Sequence, residues 1–447
     1  MTERHAGEWW LPGTPDTRIP GWLTVEDGGH MQLDLIGNLQ GPNVTTPTGS
    51  NRPHGEGTGV YQLIHGVAGG KSFTLLDSFQ TGTSIQLPAQ TTSETVRVGR
   101  AVEGALLEDT HLGGFVAVSF QLEGMVEWIA EPGVGYERTE SPGRAQHVLT
   151  VTIRKDEEIA GPERSRLTLR HTPRISVEGV ARTVLAQDFT VTLTAGHPGR
   201  IDDLICAAGD IQDLVTIGMG SPAAFRDVHL FHPAIRIQVG EKTIDRPVRL
   251  RAEWTVSRPA DGKRPSTHDA YFTHADLEGA LGVTRWLQVA HRHGHSLGRA
   301  MAVRCTQDMF VSDRLLNYAA SLEAYDQLDH PDPDPQTGNY FAFTKRLGHC
   351  IQQAGPTFTE LVGSAEAWVT AVKKARDDIA HHKQGVDGGA THHYLAESAY
   401  WLYVLCLLQE AQAPPAVLDR IAGHPQYLWL RQKLSAILAS EPGHKAL

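Results

Sequence analysis

The sequence has 447 residues, with 40 lysines and arginines against 51 aspartates and glutamates, and a formal net charge of −11 at pH 7. Its length exceeds one hydrophobic core and predicts two domains, while an apolar fraction of 40% and a charged fraction of 20% exclude wholesale disorder and fibrous repeats. The acidic balance excludes a molecule that attracts nucleic acid over its whole surface, since affinity for phosphate comes from clustered Lys and Arg, so any RNA contact must be local.

The opening stretch, from Met1 to Trp10, lacks the apolar core of a secretory signal, and no later stretch approaches the ~18 apolar residues of a membrane span. A cytoplasmic protein with no membrane partner is expected. Cys206, Cys305, Cys350 and Cys406 are far apart and form no Cys-x-x-Cys pair, which argues against a zinc finger or a disulfide framework and for buried reduced thiols. No cofactor is implied.

Up to about Trp254 the apolar residues alternate. Leu33 and Leu35 begin the pattern, followed by Val116, Val118, Phe120 and Leu122, by Leu149, Val151 and Ile153, and by Phe189, Val191 and Leu193. Ile235, Ile237 and Val239, then Val248, Leu250, Ala252 and Trp254, complete it. Such segments, separated by Gly, Pro and Asp clusters, read as half-buried strands of a sandwich or barrel. Trp9 and Trp10 fit the core of that sheet better than a base-stacking platform. Ile201 to Leu214 breaks the pattern with apolar spacings of three and four and predicts a helix.

His291, His293 and His295 stand on alternate residues, a spacing that on a strand would aim two imidazoles to one side. Zinc wants three or four ligands and no carboxylate or Cys is near in sequence, so a polar interdomain segment is the ordinary reading. The domain boundary is expected between about 285 and 310, giving domains 1–300 and 301–447.

Beyond residue 310 the period is helical. Leu315, Tyr318, Leu322 and Tyr325 line one face of a helix that must stop before His330 and the three prolines that follow it. Phe341 to Gln352 is a second candidate. A third helix starts with Thr357 and Glu360 at capping-box spacing and carries Phe358, Leu361, Ala365, Trp368, Val372, Ala375 and Ile379 on one stripe. A fourth spans about His392 to Ala413, with Leu395, Ala399, Leu402, Cys406 and Gln409 on one side, and ends at Pro414 and Pro415. The tail around Tyr427 to Leu430 should pack back on a four- or five-helix bundle. The fold class is therefore α+β multidomain, a β-rich sandwich or barrel-like domain followed by an all-α bundle.

The third helix ends in Arg376, Asp377, Asp378, Ile379, Ala380, His381 and His382, with Gly385 as a helix stop. RNA cleavage without a metal needs a base for the 2′-hydroxyl, an acid for the leaving 5′-oxygen and a cation on the phosphorane-like charge; His supplies the first two and Arg the third. Residues five apart sit about 140° around a helix, so Arg376 and His381 do not face one another. Asp377 and His381 are an i, i+4 pair in which the carboxylate could orient the imidazole. Two copies of this helix across a two-fold axis would gather an Arg and a His from each chain around one phosphate. Spacing alone is weak: Arg166 to His171 shares it, on a segment that reads as a strand, and a solvated helix end with Arg376 paired to Asp377 fits it too.

The helix ending in Arg376 to His381, preceded by the helix from Asp313 to Tyr325, resembles the HEPN superfamily, in particular its ApeA-like branch. The amino-terminal region resembles the ApeA N-terminal domain: Gly7 to Gly13 and Pro20 to Thr24 open it, Leu33 to Gly37 follow, and Val118 to Trp128 is similar to its later strand-plus-Trp segment. The resemblance implies a dimeric, metal-independent endoribonuclease of the anti-phage, abortive-infection kind, with RNA (a transfer RNA, by family analogy) as substrate and a phage-derived trigger acting on the β-rich domain. Arg376 and His381 match the family's pair, and Asp377 stands where a polar residue is usual. His382 departs from the more typical aromatic and fits either core packing or an auxiliary role. Lys373, Lys374 and Lys383 flank the motif and would hold RNA phosphates, or else pair with Asp377 and Asp378 on a solvated face. Glu323 could face the motif helix and tune it, although an exposed carboxylate is more ordinary. The competing reading is a non-catalytic HEPN module that binds a nucleotide or partner beside a ligand-sensing β-domain.

Overall fold

A computed structural model describes residues 2–40, 59–86, 91–131, 134–141, 144–179, 182–254, 256, 265–306, 308–333, 338–381 and 389–440. The chain forms two compact units that interleave in sequence: unit 1 comprises 1–121, 190–208 and 225–257, and unit 2 comprises 122–189, 209–224 and 258–447.

The strands, in chain order, are β1 (Glu3–Trp10), β2 (Ile19–Val25), β3 (Met31–Leu35), β4 (Val60–Ala68), β5 (Lys71–Gln86), β6 (Thr91–Val98), β7 (Arg100–Glu103) and β8 (Phe115–Leu122). Three hairpins follow in unit 2: β9 (Val134–Ser141) with β10 (Arg144–Val151), β11 (Glu157–Ala160) with β12 (Arg166–His171), and β13 (Arg174–Glu178) with β14 (Arg182–Ala186). Unit 1 resumes with β15 (Phe189–Gly199), β16 (Phe225–Phe231), the hairpin β17 (Arg236–Val239) and β18 (Lys242–Asp245), and β19 (Val248–Ala252).

In unit 1 the strand order runs β15-β8-β16-β19-β7-β5-β4-β1-β2-β3-β6, and β6 pairs back on β5. That last pairing, from Phe79↔Arg97 to Gln86↔Thr91, closes β5, β4, β1, β2, β3 and β6 into an antiparallel barrel. Closure removes the unpaired edges that make an open sheet prone to aggregation. The alternation of the sequence fills the barrel: Trp9, Leu23, Met31, Leu33, Phe73, Leu75 and Val96 are fully buried in one cluster. Gly66 is required there, because a Cβ at this position would lie 2.1 Å from the Trp9 ring. Glu94 brings a carboxylate into this core, where it accepts from the Tyr61 hydroxyl (2.5 Å) and the Leu39 amide (3.0 Å) and is thereby satisfied.

The alternation misleads at two places. Ile237 on the β17–β18 hairpin and Ile153 beyond β10 are exposed, because a two-stranded hairpin has no second layer to bury one of its faces.

Unit 2 is largely helical. The helices are α1 (Met125–Ile129), α2 (Ile201–Met219), whose residues from 209 onward belong to unit 2, α3 (Ala280–Cys305), α4 (Val311–Asp329), α5 (Phe343–Ala354), α6 (Pro356–Val362), α7 (Ala365–Ala380), α8 (Gly389–Glu410), α9 (Pro415–Gly423) and α10 (Pro425–Ser440). Leu315, Tyr318, Leu322 and Tyr325 of α4 are all buried, as their spacing demands. α8 packs against α3, α4, α5, α6, α7 and α10, and every residue from Ala399 to Leu408 is buried. The one-sided stripe expected of it is thus wrong: a helix apolar all round occupies the centre of a bundle.

The helix expected to start at Thr357 is two helices. Gly355 precedes Pro356 at the first position of α6, Gly363 adopts φ 70° and stops it, and the Ser364 side chain caps α7 by accepting from the Ala367 amide. The capping box at Thr357 and Glu360 is therefore not used. The three alternate histidines also lie on a helix, not on an extended segment. On α3, His293 is buried against Glu410, and His291 is exposed near Glu163. Cys206 is exposed, against the expectation of four buried thiols; Cys350 and Cys406 are buried, with the Cys406 thiol donating to the Cys350 carbonyl.

Candidate functional site

α7 carries the motif, and its placement follows from the apolar stripe. Trp368, Ala371, Val372 and Ala375 are buried. The Trp368 indole donates to Ser398 Oγ of α8 at 2.8 Å and packs edge-on against Phe358 of α6, which fixes the rotation of the helix. This rotation turns Arg376 toward α4 and α5. Its Nη2 donates to Glu323 Oε2 at 3.1 Å, and its guanidinium carbon lies 4.5 Å from the centre of the Phe343 ring. The guanidinium is thus clamped between a carboxylate on α4 and an aromatic face on α5, with its side chain 33% exposed.

His381 is the C-cap of α7, with φ −99° and ψ 11°, and its backbone amide still bonds to the Asp377 carbonyl at 3.0 Å. Its side chain is exposed, and among the described residues the imidazole has no hydrogen-bond partner. The i, i+4 pairing of Asp377 with His381 is not made. Asp377 sits 3.5 Å from Lys373 Nζ, one turn earlier on the same helix, and 3.9 Å from the Nη1 of the adjacent Arg376, so both of its oxygens lie near cations of α7. Lys373 and Lys374 are exposed on α7, and His382 and Lys383 lie outside the described residues.

Two features were illegible in the spacing. Phe343 falls inside the second candidate helix, Phe341 to Gln352, and nothing in sequence separation relates it to Arg376. His392 of α8 is a second imidazole electrically linked to the motif helix: burial lowers its pKa, and the Asp378 carboxylate of α7 pulls it back up. Glu323, by contrast, was a legible candidate, since it is one position after Leu322 and so borders the buried face of α4.

The bundle also holds a buried polar node away from the motif. His293 Nε2 bonds to Glu410 Oε2 at 2.9 Å, the Tyr325 hydroxyl donates to the same oxygen at 3.0 Å, and Arg292 Nη1 donates to Oε1 at 2.5 Å. Burial would raise the Glu410 carboxyl, but these bonds outweigh it and hold it down at about 2. In unit 1 a cavity of about 450 Å³ is lined by Gln62, Asp77, Arg100, Asp109, Arg200 and Asp202. Arg100 is held there by Asp77 and, through Nη1 at 2.6 Å, by Asp202.

A closed β-barrel unit together with a helical bundle whose motif helix presents a clamped arginine and an exposed terminal histidine defines a two-module α+β protein, β-rich first and helical second. Residues 4–286 match the family model described as ApeA N-terminal domain 1, and the chain belongs to that family, which points to ApeA-type anti-phage defence. No curated protein and no solved structure matches the chain.

Proposed function

We propose that this protein is an anti-phage, abortive-infection endoribonuclease that cuts RNA without a metal, at a site assembled from two copies of α7 across a homodimer. The observation that carries the reading is the clamp on Arg376. An arginine held by Glu323 and Phe343 near a helix end that presents His381 to solvent is pre-organised to receive a phosphate, whereas a merely solvated arginine would point outward.

In this mechanism one His381 takes the proton from the 2′-hydroxyl, which attacks phosphorus. Arg376 stabilises the negative charge on the phosphorane-like transition state, and the imidazole of the second copy protonates the departing 5′-oxygen. The products are a 2′,3′-cyclic phosphate and a 5′-hydroxyl. A dimer is required because Arg376 and His381 lie about 140° apart on one helix and cannot both reach one phosphate with the full acid and base set. Lys373 and Lys374, exposed on the same helix, supply local positive charge that the net −11 molecule lacks overall. Transfer RNA is the substrate class the family suggests, and the β-rich unit is where a phage-derived trigger acts.

The test is RNA cleavage in EDTA by the full chain and by Arg376→Ala and His381→Ala. Loss of about 100-fold or more in each variant, with cyclic-phosphate ends in the wild-type product, is the expected result. Activity that survives both substitutions would instead leave the helical unit as a binding module for a nucleotide or protein partner.

A further inference from the structure

On the face of the bundle where α4 ends, three metal-ligating side chains converge that take no part in the proposed chemistry. Asp326 is in the last turn of α4, His330 follows one turn later at its C-cap, and His349 comes from α5. His330 Nδ1 and His349 Nδ1 each lie 2.9 Å from the same oxygen, Asp326 Oδ1. Among the described residues this is the one group of three His, Cys, Asp or Glu side chains whose ligand atoms lie within 4.8 Å of one another.

We propose that Asp326, His330 and His349 form a divalent transition-metal site of the zinc class. Zinc bonds to imidazole nitrogen and carboxylate oxygen are about 2.0–2.1 Å, so the donor atoms of a tetrahedral site stand about 3.3 Å apart. The two 2.9 Å edges are therefore short by only a few tenths of an ångström, a displacement that small side-chain rotations supply. Two nitrogens and one oxygen, with a water to complete the tetrahedron, make a donor set suited to zinc, and not to calcium or magnesium, which favour all-oxygen shells.

The surroundings are those of a built site. Asp326 is only 3% exposed, and its second oxygen is held by Arg346 Nη1 at 2.7 Å, which leaves Oδ1 as the atom presented to the histidines. Arg346 is itself buried and pairs at 2.5 Å with Asp332, so its positive charge is compensated before a cation arrives. The carboxylate is thus oriented by its neighbours, as ligating carboxylates are. The His330 and His349 rings pack 4.1 Å apart, and Phe341 lies edge-on to both, at 5.8 and 5.9 Å, and limits their rotation. Without a metal, Oδ1 accepts from both Nδ1–H groups; with one, each ring would present its Nδ1 lone pair to the metal and carry its N–H on Nε2.

The position gives the site a purpose. Asp326 is one turn from Glu323 on α4, and His349 shares α5 with Phe343, so the metal would tie together the two helices that clamp Arg376. It would brace the bundle and would not take part in bond breaking.

Titration of the untagged, chelator-stripped full chain with zinc chloride, read by competition with a chromogenic chelator, tests the site without any RNA. One zinc per chain is expected, with binding weakened at least about 10-fold in His330→Gln and in His349→Gln and abolished in the double variant. Both histidines are partly exposed, so the variants should keep the helical circular dichroism of the wild type, and zinc should raise the wild-type Tm, raise those of the single variants less and leave that of the double variant unchanged. A wild-type chain that binds no zinc, or a folded double variant that still binds one per chain, would overturn the proposal. Either result leaves the ribonuclease reading untouched, since the zinc takes no part in bond breaking and that reading is tested by Arg376→Ala and His381→Ala.

Discussion

Arg376 is held by two partners of different chemistry, and their removal should have separable effects. Glu323→Gln keeps the shape of the clamp but removes its charge, so the guanidinium gains rotamers; RNA cleavage is expected to fall about 10-fold, with Glu323→Asp intermediate and RNA affinity little changed. Steady-state assays that separate kcat from KM would show this, and an unchanged kcat would rule out a positioning role. At Asp378 the expected effect is on a proton. Its carboxylate raises the pKa of His392 against the lowering effect of burial, so Asp378→Asn should lower that pKa further, as an NMR titration of the imidazole would register.

Among the elements, α7 depends on its own start. Ser364→Ala removes the side chain that accepts from the Ala367 amide and should cost about 1 kcal/mol, while Gly363→Ala forces a side chain into φ 70° and should cost at least about as much. Both would appear as a lowered Tm of the helical unit, with Gly363→Ala the larger. This start also shows where sequence reading stops. The stripe from Trp368 to Ala375 was legible because three-and-four spacing reflects one buried face. The break at Gly363 was not, since Phe358 and Leu361 keep the same phase across it and only the positive φ reveals the turn. The barrel strands were legible from alternation, but their closure was not, because the β5–β6 pairing leaves no mark on either strand's own pattern. The partners of Arg376 were half legible. Glu323 borders a recognisable face of α4, whereas Phe343 reaches the motif only through the packing of α5. Asp377 went elsewhere because Lys373, also at four residues' distance, competes for it.

In the molecule as a whole, stability should respond to pH through carboxylates shifted in opposite directions, Glu410 and Asp210 among them. The Glu410 carboxyl lies at about 2 in the folded protein, below its ordinary 4.5, so its contribution is complete above about 4.5 and is lost as pH falls toward 2. Asp210 is the reverse: burial raises it from 3.8 to about 7, so the folded state holds a proton that the unfolded chain releases, and its ionisation destabilises the fold as pH rises from about 4 to 7. Asp210→Asn should therefore raise Tm at pH 8 and change it little near pH 4, where the carboxyl is protonated in the folded protein. Thermal melts of the wild type and variant at the two values check the sign, and an equal shift at both would contradict it.

β5 belongs to two structures at once. Its first part, Phe73 to Leu76, lies between β4 and β7, and its later part, Phe79 to Gln86, pairs with β6 to close the barrel. It is a shared beam: a slip of one residue would turn Phe73 and Leu75 out of the core and break both pairings together. Amide exchange along residues 73–86 is accordingly expected to open as one cooperative block, and separate opening of 73–76 and 79–86 would show that the two pairings are independent.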